Sequence, residues 1–258
     1  MTFKRISILL SFTVFILYGG LILSLFYFYN GQLFLETIKS ERTLFSLRLS
    51  LVTATIATIA SLIIAIPSAY ALSRFHFIGQ SFIDTLLELP IIISPVALGA
   101  TVLIFFNNPF GIFLQEKGVQ FVFTVYGILL AQFITTLGIA IRLIKAAMDE
   151  IPHRYEEVAR TLGATPAKAF FTITMPLCKK GILAASFLTW AKALGEFGAT
   201  ITIAGSMAMK TETIPIAIYM RLANADIEGT VVLVFILIFI GLGILYGVRM
   251  LTKKSIPY

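Results

Sequence analysis

Six stretches of this sequence are long and apolar enough to cross a lipid bilayer, and they limit its fold more than any other feature. A membrane-spanning helix needs about 20 mostly apolar residues. Such stretches lie at about 6–29, 45–72, 83–106, 121–144, 182–204 and 230–246. The chain is 58% hydrophobic and 13% charged, which is typical of a membrane protein. We predict an all-α membrane protein with six transmembrane helices, forming a single domain over residues 1–258.

The basic residues give these spans an orientation, because cytoplasmic loops carry an excess of lysine and arginine. Most of the 20 such residues fall on the N-terminal side: Lys4, Arg5, Arg74, Arg142, Lys145, Arg154, Arg160, Lys168, Lys179, Lys180, Arg249, Lys253 and Lys254. The first span is longer than a signal-peptide core and has no small-residue cleavage site, so we expect it to be retained. We predict a multi-pass protein of a prokaryotic cell (inner or plasma) membrane, with both termini in the cytoplasm.

Composition excludes several classes of function. With two histidines and one cysteine, all far apart, the sequence offers no metal-ligand cluster. It has no G-x-x-x-x-G-K-[ST] phosphate loop, and the spans contain no constellation that suits an intramembrane enzyme. The net charge of +7 fits cytoplasmic basic residues better than a nucleic-acid surface. We therefore expect no catalytic, cofactor-binding or metal-binding residue and no nucleic-acid partner.

A polar segment between the fourth and fifth spans, residues 152–176, reads as two short helices. Pro152 suits the first position of a helix, and Gly163 suits a left-handed residue at its end. Thr165 and Pro166 suit the start of a second helix, which Pro176 is expected to close. Pairs at i,i+4 are Glu156 with Arg160 and His153 with Glu157. Two apolar stripes are predicted, one of Tyr155, Val158, Ala159 and Leu162, the other of Ala167, Phe170, Phe171 and Thr174.

The spacing Glu157-x-Ala159-x3-Gly163-x9-Ile173-x-Met175-Pro176 resembles the EAA loop of ABC importer permeases, E-A-A-x3-G-x9-I-x-L-P. Val158 and Met175 depart from that pattern, and both are apolar replacements. The resemblance implies a type I importer fold and a cytoplasmic coupling loop at about 149–180 that docks on a separate P-loop ATPase subunit, which binds ATP and Mg. The implied ATPase-coupling residues are Glu156, Glu157, Ala159, Arg160, Gly163, Phe170, Phe171 and Pro176. An ordinary amphipathic cytoplasmic loop is the alternative.

Two prolines interrupt the third span. Pro90 and Pro95 break its helical ladder, and Ser94 lies between them. Broken helices in membranes are tolerated where they face protein or a water-filled cavity. The segment is thus either a wall of a transport pathway, with Ser94 on it, or a packing kink.

The fifth span carries charge and small residues. Ala191, Gly195, Ala199 and Thr202 form a stripe suited to close helix packing. Lys192 lies ten residues past Ile182, about 15 Å along the helix and hence near the bilayer centre. A charge there is costly unless it is paired or faces water. Lys192 and Glu196 are i,i+4, and they form either a structural pair or a pair that gates or lines a pathway.

The segments AKALGEFGATITIAG (residues 191–205) and KTETIPIAIY (residues 210–219) resemble the molybdate/tungstate branch of oxyanion importer permeases. The resemblance implies a homodimer, two ATPase subunits, an extracytoplasmic oxyanion-binding protein and ATP-driven alternating access. Lys192, Glu196, Thr200, Thr202 and Ser94 are the expected pathway or gate residues, although repulsion argues against Glu196 as a direct anion ligand. The alternatives are a sulfate/thiosulfate-type permease and, in another class, an ion-coupled secondary transporter or channel.

Overall fold

The computed structural model describes residues 2–252, and this part of the chain is helical without any strand. Lys253 and Lys254, two of the basic residues used for the orientation, lie outside it. The elements are α1 (Thr2–Ser24), a 3-10 turn (Leu25–Phe28), α2 (Gly31–Lys39), α3 (Glu41–Arg74), α4 (Gln80–Leu86), α5 (Leu89–Ile92), α6 (Pro95–Phe106), α7 (Pro109–Lys117), α8 (Val125–Asp149), α9 (Arg154–Thr161), α10 (Pro166–Ala169), a π-helical segment (Phe170–Thr174), α11 (Met175–Leu194), α12 (Gly198–Ala204), α13 (Ile214–Ala223) and α14 (Ile227–Thr252).

Five helical segments in the described residues are long and apolar enough to cross a membrane, or six if one bent pair counts as a span. The five are Phe3–Phe28, Glu41–Arg74, Val125–Asp149, Pro166–Leu194 and Ile227–Gly247. The bent pair joins 80–92 to 95–106 at an angle of 110°. The all-helical membrane fold predicted from the sequence is therefore confirmed.

The third predicted span, 83–106, is not one helix. Ser94 is extended, with ψ 145°, and α6 begins at Pro95, because a residue that precedes proline is pushed out of the helical region. Pro90, which was also predicted to break the ladder, lies in the first turn of α5. The break is thus located at residues 93–94, and it turns the chain sharply.

The fifth predicted span, 182–204, is interrupted within its predicted range. The helical segment begins near Pro166 and ends at Leu194, and α12 starts afresh at Gly198. Ala191 and Gly195 therefore do not share one helix with Ala199 and Thr202. Glu196 lies in this break, and its carboxylate accepts a hydrogen bond from Ala199 N at 3.1 Å, which satisfies one N–H group at the start of α12.

The core lies where α3 packs along α8, with α11 beside both. α3 contributes small residues, among them Ala54, Ala57, Ala65 and Ala69, all nearly inaccessible. The hydroxyl residues Thr53, Thr58 and Ser61 of α3 are also buried, whereas Thr55 is exposed. Ser61 Oγ lies 3.2 Å from Thr136 Oγ1 across the two helices. Small side chains let the helix backbones approach closely, which is the main source of packing between helices in lipid.

Candidate functional site

The polar segment between α8 and α11 forms the expected elbow. α9 is followed by Gly163 at φ +90°. Gly163 N donates to Arg160 O at 3.0 Å, and Ala164 N donates to Ala159 O at 3.0 Å. These two bonds make a Schellman cap, which satisfies carbonyl groups at the helix end. The prediction that Gly163 ends the first helix at positive φ is confirmed.

The second half of the elbow starts as predicted but does not end as predicted. The Thr165 side chain accepts a backbone hydrogen bond at 3.2 Å, and Pro166 opens α10. The chain then stays helical through the π segment into α11, so Pro176 lies in the first turn of α11 rather than closing the motif. A π turn widens the backbone ladder, which accommodates a proline that has no N–H to donate. α9 also begins at Arg154 instead of Pro152.

One face of the elbow carries apolar side chains that no other described part of this chain covers. Its exposed side chains are Tyr155, Val158, Leu162 and Phe171, and Leu162 is 83% accessible. A groove of about 540 Å³ lies on the elbow and is lined by Glu157, Arg160, Thr161, Gly163, Ala164, Thr165 and Pro166. Ala159 is half-buried. The first predicted stripe is therefore largely available to another molecule.

The second predicted stripe is divided between two environments. Phe171 and Ala167 are exposed, whereas Thr174 is buried. Phe170 packs against Tyr70 of α3, with ring centroids 4.5 Å apart. Phe170 therefore holds the elbow to the spans and contributes little to the free apolar face.

Glu156 points inward and does not form the predicted ion pair with Arg160. It is 8% accessible and forms its ion pair with Arg74 at 2.8 Å. Tyr70 Oη and Thr174 Oγ1 also donate to it, at 2.8 and 2.5 Å. Burial alone would raise the pKa of Glu156, but the hydrogen bonds from Thr174, Tyr70 and Arg74 outweigh it and lower the pKa below its ordinary value.

The partners of Glu156 were missed by reasoning from the sequence. Tyr70 and Arg74 lie at the end of α3, more than 80 residues away along the chain. The only signal was an arginine directly after a long apolar span, which the charge rule explains as an orientation signal alone. The second predicted pair, His153 with Glu157, does not form an ion pair either. Among the described residues, the ion pair that involves the elbow is Arg74–Glu156.

The predicted Lys192–Glu196 ion pair is present, with Lys192 Nζ 3.1 Å from Glu196 Oε2. The Lys192 side chain is 40% accessible and the Glu196 side chain 1%. Ile182 and Lys192 lie in the same helix, α11, and Lys192 occupies its last turn; the depth of Lys192 in the bilayer stays a prediction. Gln132 of α8, which was not foreseen, donates its amide N–H to Ala193 O at 3.0 Å and thereby satisfies a carbonyl group beside the break.

The break after α11 lies against the break before α6. A β-carbon on Gly198 would sit 3.0 Å from Val96 N, so the absence of a side chain there permits the close approach. Ser94 is exposed and caps α6 by accepting from Ala97 N at 3.3 Å. The two irregular segments thus place Ser94 and the neighbourhood of Glu196 in one region of the molecule.

The two threonines of α12 differ in their surroundings. Thr202 is half-buried and donates to Gly198 O at 2.7 Å. Thr200 is fully buried, and its hydroxyl has no hydrogen-bond partner within the described residues. In this conformation Thr200 therefore does not line an open surface, contrary to its expected place on a pathway.

Comparisons with known proteins cover most of the chain. Residues 48–254 match the family model "Binding-protein-dependent transport system inner membrane component". The chain is 38% identical over 177 residues to the molybdenum transport system permease protein ModB of Haemophilus influenzae, covering 67% of this chain and 77% of that protein. It is 31% identical over 236 residues to the sulfate transport system permease protein CysW of a Synechocystis strain, covering 88% and 86%.

Solved structures share the fold at low sequence identity. A chain of a bacterial ABC transporter for alginate, in complex with a pentasaccharide-bound periplasmic protein, superposes with a TM-score of 0.78 at 18% identity and covers 98% of this chain and 96% of its own. A chain of the MetNI methionine ABC transporter, in an inward-facing conformation, gives a TM-score of 0.61 at 18% identity, covering 83% and 100%.

Proposed function

This chain belongs to the family of binding-protein-dependent transport system inner membrane components, and from that premise we propose that it carries an oxyanion, molybdate or tungstate, into the cell. It is the permease subunit of an ABC importer. The work of such a subunit is alternating access, in which a partner favours one of two conformations by binding it more tightly. No chemistry is assigned to this chain, and ATP with Mg is proposed to bind on partner subunits.

The single observation that carries the oxyanion assignment is that the similar proteins are named as molybdenum and sulfate permeases. Molybdenum permeases of Haemophilus influenzae and Escherichia coli are 38% and 36% identical to this chain, and sulfate permeases are 28–31% identical over longer stretches. The cargoes named are molybdenum and sulfate, and molybdate, the oxyanion of molybdenum, is tetrahedral like sulfate. The GEFGAT segment favours molybdate or tungstate, and a sulfate/thiosulfate-type permease is the alternative.

The free apolar face of the elbow supports docking of an ATPase. Tyr155, Val158, Leu162 and Phe171 are exposed in a segment that otherwise carries charge. An exposed apolar cluster of this kind with a polar surround is typical of a protein interface. We place Glu157, Arg160 and Gly163 at this interface, since they line the adjoining groove, with the cytoplasm on this side of the membrane.

The region around the two breaks supports a pathway role for Lys192 and Ser94. The Lys192 ammonium group is part-exposed and therefore able to attract an anion, whereas Glu196 is covered and positions Lys192. A homodimer would place two such lysines about a shared axis. No residue of the first span, Phe3–Phe28, is buried within the described part of this chain, so this span is available to contact lipid or a second copy. An extracytoplasmic anion-binding protein would deliver the cargo on the opposite face.

Uptake of labelled anions tests this proposal. Cells that express the chain with its proposed partner ATPase and anion-binding protein should import radiolabelled molybdate, and cells without the permease gene should not. Excess tungstate should suppress that import by more than about tenfold, while equal sulfate should leave it nearly unchanged. Import of labelled sulfate with no molybdate import would overturn the assignment and favour the sulfate-type alternative.

A further inference from the structure

We propose that the buried Glu156–Arg74 ion pair is the joint that transmits movement of the elbow to the membrane spans. The proposal rests on the function proposed above, in which the elbow docks on an ATPase. Glu156 and Arg74 are assigned as positioning residues: they touch neither cargo nor nucleotide, and act by fixing α9 to the helices that must move.

Glu156 binds two other elements at once. Its carboxylate accepts from Arg74 Nε and Tyr70 Oη of α3, at 2.8 Å each. It also accepts from Thr174 Oγ1 of the π-helical segment at 2.5 Å. One side chain of α9 is thereby bonded to the end of one span and the beginning of another.

Arg74 extends the same network to a fourth element. Its Nη2 donates to Met148 O at 2.9 Å and to Ile151 O at 3.0 Å, which are carbonyl groups at and just beyond the end of α8. The side chain is 3% accessible. A planar guanidinium group with several fixed donors can join a carboxylate and backbone carbonyls in one geometry. Arg74 therefore links α3, α8 and α9 at a single point.

The other polar side chains of α9 offer no comparable link. Within the described residues, Arg154, Glu157 and Arg160 make no hydrogen bond or ion pair with the spans. The exposed apolar face, including Leu162, points to a partner. A force that the partner applies to α9 thus reaches the spans through Glu156, the Phe170–Tyr70 contact and the chain itself.

A buried ion pair suits this task better than apolar contact alone. Removal of one partner leaves a charge buried and unpaired, which is strongly unfavourable. The pair therefore keeps its geometry when α9 moves, and the spans must follow. Apolar contacts are not directional, so they would let the elbow slide over α3.

The test separates coupling from folding. Wild type, Glu156→Gln and Arg74→Met are purified with the ATPase and binding protein and reconstituted in vesicles, where molybdate import and ATP hydrolysis are measured together. Glu150→Gln is the matched control, because Glu150 is exposed at the end of α8 and forms no ion pair within the described residues. A residue that serves stability alone would lower both rates in proportion to the amount of intact complex.

We expect Glu156→Gln and Arg74→Met to raise the ATP hydrolysed per molybdate imported by about tenfold, with Glu150→Gln at the wild-type ratio. Tyr70→Phe removes one of the hydrogen bonds to Glu156 and keeps both the ring on Phe170 and the ion pair with Arg74, so its ratio should rise less than that of Glu156→Gln. If the single variants fail to fold, the double variant Arg74→Met with Glu156→Gln replaces a buried pair by neutral side chains, a change that is often tolerated.

If the ATP hydrolysed per molybdate imported is unchanged in Glu156→Gln, or in a stable double variant, the proposal that this ion pair is the joint is overturned. Failure of the proposed function would look different. In that case the wild-type vesicles themselves would import no molybdate in response to ATP, and Leu162→Asp on the exposed face would have no effect on ATP hydrolysis. Normal wild-type import, loss with Leu162→Asp and normal coupling in Glu156→Gln would keep the function and reject the joint alone.

Discussion

At the scale of single residues, the two side chains of the Lys192–Glu196 pair differ in their exposure to solvent. Lys192 is 40% accessible, whereas Glu196 is covered and accepts a second hydrogen bond, from Ala199 N. Water can solvate the ammonium group if its partner is removed, but the carboxylate would remain buried. A group that is buried without a partner costs about 1–3 kcal/mol, and more if it is charged.

This asymmetry predicts unequal single variants. Lys192→Met leaves a charged carboxylate buried and should destabilise the protein by about 3 kcal/mol, and Glu196→Gln by less. If the pair is structural, the double variant should regain stability and transport together. If Lys192 also attracts the anion, the double variant should regain folded protein and remain slow in uptake. The measurements are the yield of purified folded protein and the initial uptake rate for all four members of the cycle, since only the coupling term isolates the pair. Additive losses in both would show that the side chains do not interact.

Residue-level reasoning was accurate where the signal was local. Gly163, Thr165 and the Lys192–Glu196 spacing each depend on neighbours within four positions, and the structure contains all three features. Glu156 was misplaced because helical spacing tells which residues share a face but not which face is covered. The face that carries Glu156 is covered because Glu156 pairs with Arg74, which is distant in sequence and which no local pattern connects to Glu156.

Among the structural elements, the elbow depends on one backbone conformation. Gly163 has φ +90°, and a β-carbon added there would meet no atom within 4 Å. A substitution is therefore penalised by the backbone conformation and not by a clash. A left-handed conformation costs an ordinary residue about 1–2 kcal/mol, least for asparagine and most for β-branched residues.

Gly163→Val should accordingly change the angle between α9 and α10 and uncouple import from ATP hydrolysis, while membrane insertion is preserved. Gly163→Asn is the matched control, because asparagine adopts this conformation more readily, and it should retain most of the import. Uptake and anion-stimulated ATP hydrolysis in both variants are the measurements. Normal values for Gly163→Val would reject the elbow as a coupling element.

The helix breaks were only partly predictable. Pro95 signalled the break before α6, because proline restricts the residue that precedes it. The break between α11 and α12 has no proline. It contains Gly195 and Glu196 and is followed by Gly198, and such glycines weaken a helix without fixing where it ends. The break depends on contacts made in three dimensions, namely the hydrogen bond accepted by Glu196, the amide of Gln132 and the close approach of Gly198 to Val96.

For the whole molecule, the orientation in the membrane is testable by thiol labelling. Cys178 is 4% accessible, so it should be unreactive from either side and cannot report orientation. After its replacement by alanine, Asn224→Cys should react with a membrane-impermeant reagent in intact cells, whereas Glu150→Cys should react only after permeabilisation. Both positions are exposed, so they form a matched pair. Reaction of Glu150→Cys from outside would invert the orientation and separate the elbow from ATP.

The central claim is that ATP on the elbow side drives inward movement of an oxyanion through this chain. The most direct test uses vesicles that contain the permease with its ATPase, and that carry the anion-binding protein and labelled molybdate on the face opposite the elbow. We predict that molybdate crosses only when MgATP is present on the elbow side, and that it crosses without any ion gradient. Transport that needs a proton or sodium gradient and continues without ATP would contradict the account.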